Sequence, residues 1–479
     1  MSGITRRGFL STSLFAGLGA AAATFGGAAA LRRLARAASS PIATTSEDRY
    51  YIFLYFSGGW DQLLALDPRD PAVFGNAQMA TTRIQPAYEL TNAVGSPLRD
   101  ALGDGSMMLG PFVGELAQQA HRIAVIRGMS MDTLTHEVGR RRFLTGRPPS
   151  GLSARGSSTD TWLAARLGEA EPIPNLALNM ESYNKGDLPT YASALRTASF
   201  EDLLRALRAD GTPDALIERE LDALLAESAA CPGAQASPFL VKTEAARGKA
   251  RDMVTGGLDR LFDFAANTPE MIALRARYGI NGTSTAALSS AGARAALAAT
   301  AIMGGVARVV SVTINPAGLD THFANWQTDH GPNLQAGMTA AARLIDHLAT
   351  SEHPDGSGDS WLDRTVVVGF SEFSRTPLVN PNGGRDHWLT NSCFVAGGNV
   401  RGGRVIGASS NNSMLPLPVD LETGRACTLD DARTLACPDE PGVAEIVKPE
   451  HVLQTLYHEI GVTDDSPDLR VRPLRALLW

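Results

Sequence analysis

Six residues of this chain combine types and settings that could do chemistry together: Asp61, Asp320, His322, Glu372, Asp386 and His387. Each stands shortly after an apolar run. Asp61 closes Ser57-Gly58-Gly59-Trp60-Asp61, where two glycines let the backbone turn sharply. Asp320 and His322 close Gly318-Leu319-Asp320-Thr321-His322, Glu372 opens Ser371-Glu372-Phe373-Ser374-Arg375, and Gly383-Gly384-Arg385-Asp386-His387 follows. Carboxylate oxygens with neutral imidazoles suit zinc, manganese or iron. Two such ions a few ångströms apart would stabilise attacking and leaving oxygens at a phosphoryl or similar centre. A further segment, Asp132-Thr133-Leu134-Thr135-His136, precedes a helical pattern that runs to about Leu144. A hydroxyl at that helix start is placed as a nucleophile or metal ligand, and the helix end favours an anion. His330, after Asp329, is a weaker extra ligand candidate. His121, His347, His353, His451 and His458 lack partner patterns and are expected on the surface or in the core. Taken singly, each acidic candidate also fits a structural role, as a turn residue, a helix cap, or an ion pair such as Glu372 with Arg375.

These residues need a frame that brings them to one place. Tyr50–Phe56, Ile123–Ile126, Val306–Ile314 and Thr365–Phe370 are short apolar runs that read as buried strands. Pro111–Gln119, Ser158–Gly168 and Leu334–Ala349 carry helical spacing. Runs buried on both faces and separated by helices predict a parallel sheet with helices on both sides. In such sheets ligands bind beyond the carboxyl ends of the strands. The six candidates therefore converge on one edge. Residues 199–305 differ in character. Glu201–Ala230, Lys249–Ala266 and Ala286–Ile302 space apolar residues helically among charges, predicting a helical insertion.

The first 37 residues read as an export signal. Arg6-Arg7 precede an uncharged run from Phe9 to Ala30, and Ala35-Arg36-Ala37 has the form of a cleavage site. This twin-arginine pattern is an address for folded export to the periplasm or beyond, not a stable membrane anchor. Residues 38–48 read as a linker, and 49–479 as the folded domain. Hydrophobic residues make up 44% of the 479, enough for a large core. The net charge is −7, and losing the five leader arginines takes it to −12. An acidic surface argues against nucleic acid as a partner. Of four cysteines, Cys427 and Cys437 flank a polar loop and could pair in an oxidising compartment. Absence of a C-x-x-C sequence argues against a zinc knuckle.

The leader, FSGGWDQL (56–63), GLDTH (318–322), SEFSRTP (371–377) and GGRDHW (383–388) together resemble the DUF1501 family over nearly the whole mature chain. That family is grouped with the alkaline phosphatase-like superfamily, so the resemblance implies a three-layer α/β sandwich around a mostly parallel sheet. It implies metal ligands at Asp61, Asp320, His322, Glu372 and His387, with Asp386 a ligand or the partner of His387. It implies one or two divalent ions, zinc or manganese, and a Ser or Thr nucleophile near Thr135, with Thr133 and Ser130 competing. His136 would then act as acid or base or bind substrate, and Arg375 would clamp substrate oxygens. Phe373 departs from the superfamily pattern by standing where a histidine follows the acid, and Asp320 and His322 are unusually close. Cys231 and Cys437 are each followed directly by Pro, which disfavours the formylglycine type of sulfatase. The expected activity is hydrolysis of a phosphate or sulfate ester, small or polymeric, after passage through the twin-arginine translocase. The alternative is an exported binding or envelope-assembly protein that keeps the fold without catalysis.

Overall fold

The computed structural model describes residues 48–479 apart from 94–97, 187, 209–214, 430–434, 438–443 and 462–468. The leader and almost all of the linker lie outside the described residues.

Eight strands form the central sheet: β1 (Tyr50–Tyr55), β2 (Ile123–Ser130), β3 (Asn175–Leu178), β4 (Leu195–Thr197), β5 (Val309–Thr313), β6 (Thr365–Phe370), β7 (Thr390–Ala396) and β8 (Arg404–Ile406). Their order is β8-β2-β7-β6-β1-β5-β3-β4. All pairings are parallel except those of β7, which opposes both β6 and β2. The four apolar runs of the sequence are β1, β2, β5 and β6. They sit at or near the middle of the sheet, where both faces are covered, which is why their sequences hardly alternate. Strands β3, β4 and β8 span four, three and three residues, too short to show a pattern.

Along β1, successive side chains feed opposite layers. Tyr50, Ile52 and Leu54 pack with α3 (Ala291–Met303) and α4 (Gly331–Thr350). Tyr51, Phe53 and Tyr55 pack on the other face with α1 (His136–Thr145), α2 (Thr159–Leu167) and α5 (Pro449–Glu459). The result is the expected three-layer α/β sandwich. Each fully buried aliphatic side chain in it contributes about 1.5–3 kcal/mol.

The helical stretch after residue 199 divides by packing. Helix α3 is part of a layer, with nine buried residues, seven of them alanines. Ala215–Ala230 instead exposes Leu216, Leu221 and Leu224. Pro111–Gln119 differs from its expected α-helix: a 3-10 segment covers Gly114–Arg122. Cys427 and Cys437 are joined in a disulfide, whereas Cys393 is a buried thiol. No helix among the described residues is long and apolar enough to cross a membrane.

Register fixes the site. Tyr55 pairs with Thr313 on one side and with Phe370 on the other. The chains leaving β1, β5 and β6 therefore start level with one another. Gly58, Asp320 and Glu372 follow within a few residues of those ends.

Candidate metal centre

Three imidazoles and one carboxylate meet at this edge. Asp320 Oδ1 lies 3.0 Å from His322 Nε2, 3.4 Å from His387 Nε2 and 3.4 Å from His136 Nε2. The same nitrogens of His322 and His387 are 2.9 Å apart. In every ring the other nitrogen is committed. His136 Nδ1 donates to Glu372 Oε1 at 2.6 Å, His322 Nδ1 to Asp386 Oδ1 at 2.9 Å, and His387 Nδ1 to the Leu134 carbonyl at 2.6 Å. A ring nitrogen facing a carbonyl or carboxylate must carry the proton. The three Nε2 atoms are thus the ring nitrogens that face the shared centre and Asp320 Oδ1. Arg375 supports this tautomer at His322, because its guanidinium can only donate and stands 3.2 Å from Nε2. His136 Nε2 is buried and accepts no hydrogen bond. Two imidazole lone pairs 2.9 Å apart repel unless a proton or a metal ion sits between them.

This is the donor chemistry of a metal site: imidazoles oriented through their far nitrogens by carboxylates and a backbone carbonyl. His136, Asp320 and His387 offer ligand atoms within 4.8 Å of one another, as do Asp48, His353 and Asp355 elsewhere among the described residues. Asp320, Glu372 and Asp386 against Arg375 leave two negative charges around the rings, which one divalent cation would balance.

Electrostatics follows the geometry. Burial pushes the Asp320 carboxyl up, but its bond to Arg375 outweighs this and holds it near 2. Burial likewise works against Glu372, and its bond to His136 keeps it below its ordinary value. For His136 burial pulls downward, and the Glu372 bond raises it overall. Burial dominates at His387 and favours the neutral ring. The His322 bond lowers Asp386.

Close backbone approaches set these positions. Helix α1 lies against the chain after β6 at Gly139, where a Cβ would stand 2.2 Å from the Glu372 carbonyl. That contact brings His136, three residues earlier, to Glu372. At Gly58, φ is +105° and a Cβ would meet the Leu319 nitrogen at 2.3 Å, so only glycine lets the turn after β1 touch the segment carrying Asp320. The Gly58 N–H in turn donates to Glu372 Oε1 at 2.8 Å. The segment bearing Leu134 is held at Asp132, which adopts φ +49° and accepts bonds from Ser130 and Arg142 and an ion pair from Lys448.

Several expected roles change. Asp61 is fully buried and stands apart from the cluster. Its Oδ1 caps the Leu63 N–H at 2.9 Å, and its Oδ2 accepts the Trp326 indole at 2.9 Å and pairs with Arg385 at 3.1 Å. Both of its oxygens are engaged by these partners. His330 is spent in the same way: Nε2 accepts the Asp61 N–H, and Nδ1 donates to Thr321. Burial holds that ring far below its ordinary pKa and so neutral. Glu372 and Asp386 orient His136 and His322 from behind. His136, expected as acid or base, faces the centre as a ligand donor. Arg375 is fully buried and clamps the turn, donating to the carbonyls of Gly58 and Gly59 and to Asp320 at 2.6 Å. Those bonds occupy most of its fork, so holding substrate oxygens does not fit it. Thr135 is the exposed N-cap of α1, and its side chain makes no capping bond. Leu134, whose carbonyl orients His387, has no signature in the sequence, because any residue supplies a carbonyl.

A family model described as a protein of unknown function, DUF1501, matches residues 48–416. None of the curated proteins matches the sequence. Among solved structures, the chain is similar to the PsFucS1 sulfatase from Pseudoalteromonas sp. at 11% identity and a TM-score of 0.34, over 92% of this chain and 72% of that one.

Proposed function

The chain belongs to the DUF1501 family, and we propose that it is an exported, metal-dependent hydrolase of a phosphate or sulfate ester. One divalent ion, zinc in preference to manganese, would be held by Nε2 of His136, His322 and His387 and by Asp320. The observation that carries this reading is the orientation of the three rings, each with Nδ1–H bonded outward and Nε2 turned to Asp320 Oδ1. Three imidazoles with one carboxylate suit zinc. Asp61, expected among the ligands, bonds instead to Arg385 and Trp326, so one ion is proposed rather than two. Such an ion would polarise the ester oxygens and neutralise charge developing on them.

The remaining roles belong to the chain itself. Backbone N–H groups at the start of α1 point beyond Thr135 and favour an anionic ester group there. The Thr135 oxygen, next to His136, would form a bond to phosphorus or sulfur and give up its proton as the ester P–O or S–O bond breaks. The leaving alkoxide would take up that proton and depart as the alcohol, and water would then cleave the Thr135 ester, releasing the acid and restoring the hydroxyl. Arg375 would keep Asp320 in place throughout. The Arg6-Arg7 leader would send the folded chain out of the cytoplasm after the ion has been bound inside.

A rival reading, an exported binding protein that retains the ion, draws on one observation. Thr135 is exposed and makes no hydrogen bond through its hydroxyl to a base that could take its proton. An ester panel separates the two. Purified protein reconstituted with zinc is expected to hydrolyse an aryl phosphate or an aryl sulfate, and His387→Ala to lose that activity. Turnover no greater than that of the variant would leave the binding role.

A further inference from the structure

Beside the histidine cluster the same sheet edge carries a cavity of about 550 Å³ that uses none of the cluster's residues. It opens over the carboxyl ends of β1, β5, β3 and β4, and its wall includes Tyr55, Ser57, Arg140, Asn179, Arg196 and Thr197. Ser57 adjoins Gly58, whose N–H holds Glu372. Arg140 lies one turn along α1 from His136. A molecule seated here would thus reach toward the cluster.

The lining is built for a polar ligand. Thr197 Oγ1 is buried without a hydrogen-bond partner, which is costly unless something binds it, whereas the Tyr55 hydroxyl interacts with Arg140 and Ser57. The floor is shaped by Asn179, which turns the chain at φ +49°. That bend is fixed by the Asn179 N–H bonding to Thr197 O at 2.8 Å and by Thr313 Oγ1 donating to Asn179 O at 2.6 Å. Charge is unbalanced. Glu181 in the wall is taken by Arg140 at 3.0 Å, Arg141 at 3.1 Å and the Tyr183 hydroxyl at 2.6 Å. The Arg196 side chain, by contrast, is exposed at the wall, and its guanidinium makes no hydrogen bond or ion pair with any described residue. A guanidinium with a free fork recognises an oxyanion.

We propose that this cavity is a binding subsite for an anionic, hydroxyl-rich ligand of the acidic-sugar class, with Arg196 taking the oxyanion and Thr197 meeting a hydroxyl. The subsite would bind without the ion, so it is tested on purified protein stripped of metal by a chelator. Failure of the metal reading then leaves the result intact. The probes are D-glucuronate, glucose 6-sulfate and uncharged D-glucose, titrated calorimetrically. At least one anionic sugar is expected to bind about tenfold or more tightly than glucose, as loss of a charged hydrogen bond implies. Arg196→Ala is expected to bring that probe to the level of glucose, whereas Arg205→Ala, at an exposed arginine outside the cavity, leaves it unchanged. The two anionic probes separate a carboxylate from a sulfate. Anionic sugars that bind no better than glucose, or that bind Arg196→Ala as well as the unaltered protein, would overturn the proposal.

Discussion

Two clusters of ionisable groups share this sheet edge and draw on the same short segments, yet they end in opposite states. One contains Asp61, His330 and Arg385; the other contains Asp320, His322 and His387, with His136. In the first, the charges and rings are paired internally: Arg385 forms an ion pair with Asp61 and donates to the carbonyls of Thr376, Gln85 and Pro86, and His330 bridges the Asp61 N–H and Thr321. It is sealed from solvent and fixes the turn after β1. In the second, the outer nitrogens are satisfied and the inner ones converge on one another and on Asp320 Oδ1. It is half-exposed, with Asp320 at 48% of its side chain accessible. The difference teaches that the number of acids and histidines in a cluster says little. What marks a site able to bind something is donor chemistry left over once internal bonds are made.

The sharpest way to break the comparison is to disturb the sealed cluster. Asp61→Ala leaves the Arg385 guanidinium buried without its partner and is expected to cost about 3–5 kcal/mol. Urea denaturation reads this, and the fraction that folds should keep its metal. A mild loss of stability accompanied by loss of metal would return Asp61 to the ligand set. His387→Ala should do the reverse. Zinc affinity should fall by more than the ~10–100-fold typical of an outer partner, while the urea midpoint of the metal-free protein stays close to that of the unaltered protein. Glu372→Gln keeps an acceptor for Gly58 but weakens the hold on His136, so about 10–100-fold in zinc affinity is expected. The smallest effect belongs to Asp386→Asn, at about tenfold or less. Its side chain is 55% accessible, so water can replace it against His322. Equal losses for Glu372 and Asp386 would mean that burial of the outer partner does not matter.

The sheet was legible because its central strands are apolar on both faces. Thr365–Phe370 shows this most plainly: the apolar run and the strand have the same bounds. The convergence of strand ends followed from that, and Asp320, His322 and His387 stand close together in the structure. Which acid would be consumed was not legible. Asp61 and Asp320 each end a Gly-containing turn, and they differ only in their partners. Arg385, which neutralises Asp61, is adjacent to Asp386 in sequence and shows no sign of pointing the other way. Glu372 looked like a ligand because it ends the clearest strand. Its contact with His136 depends on α1 packing at Gly139, a long-range approach that no local pattern reveals. His136 itself carried a usable signal, a histidine at the first turn of a helix after a strand end, where its ring can reach the sheet edge.

Elemental analysis of the purified protein tests the central claim most directly. The account predicts about one zinc or manganese ion per chain, removable by chelator, restored by added zinc, and absent from His387→Ala. Protein that binds no divalent ion after reconstitution, or a His387→Ala variant that binds it as tightly as the unaltered chain, would contradict it.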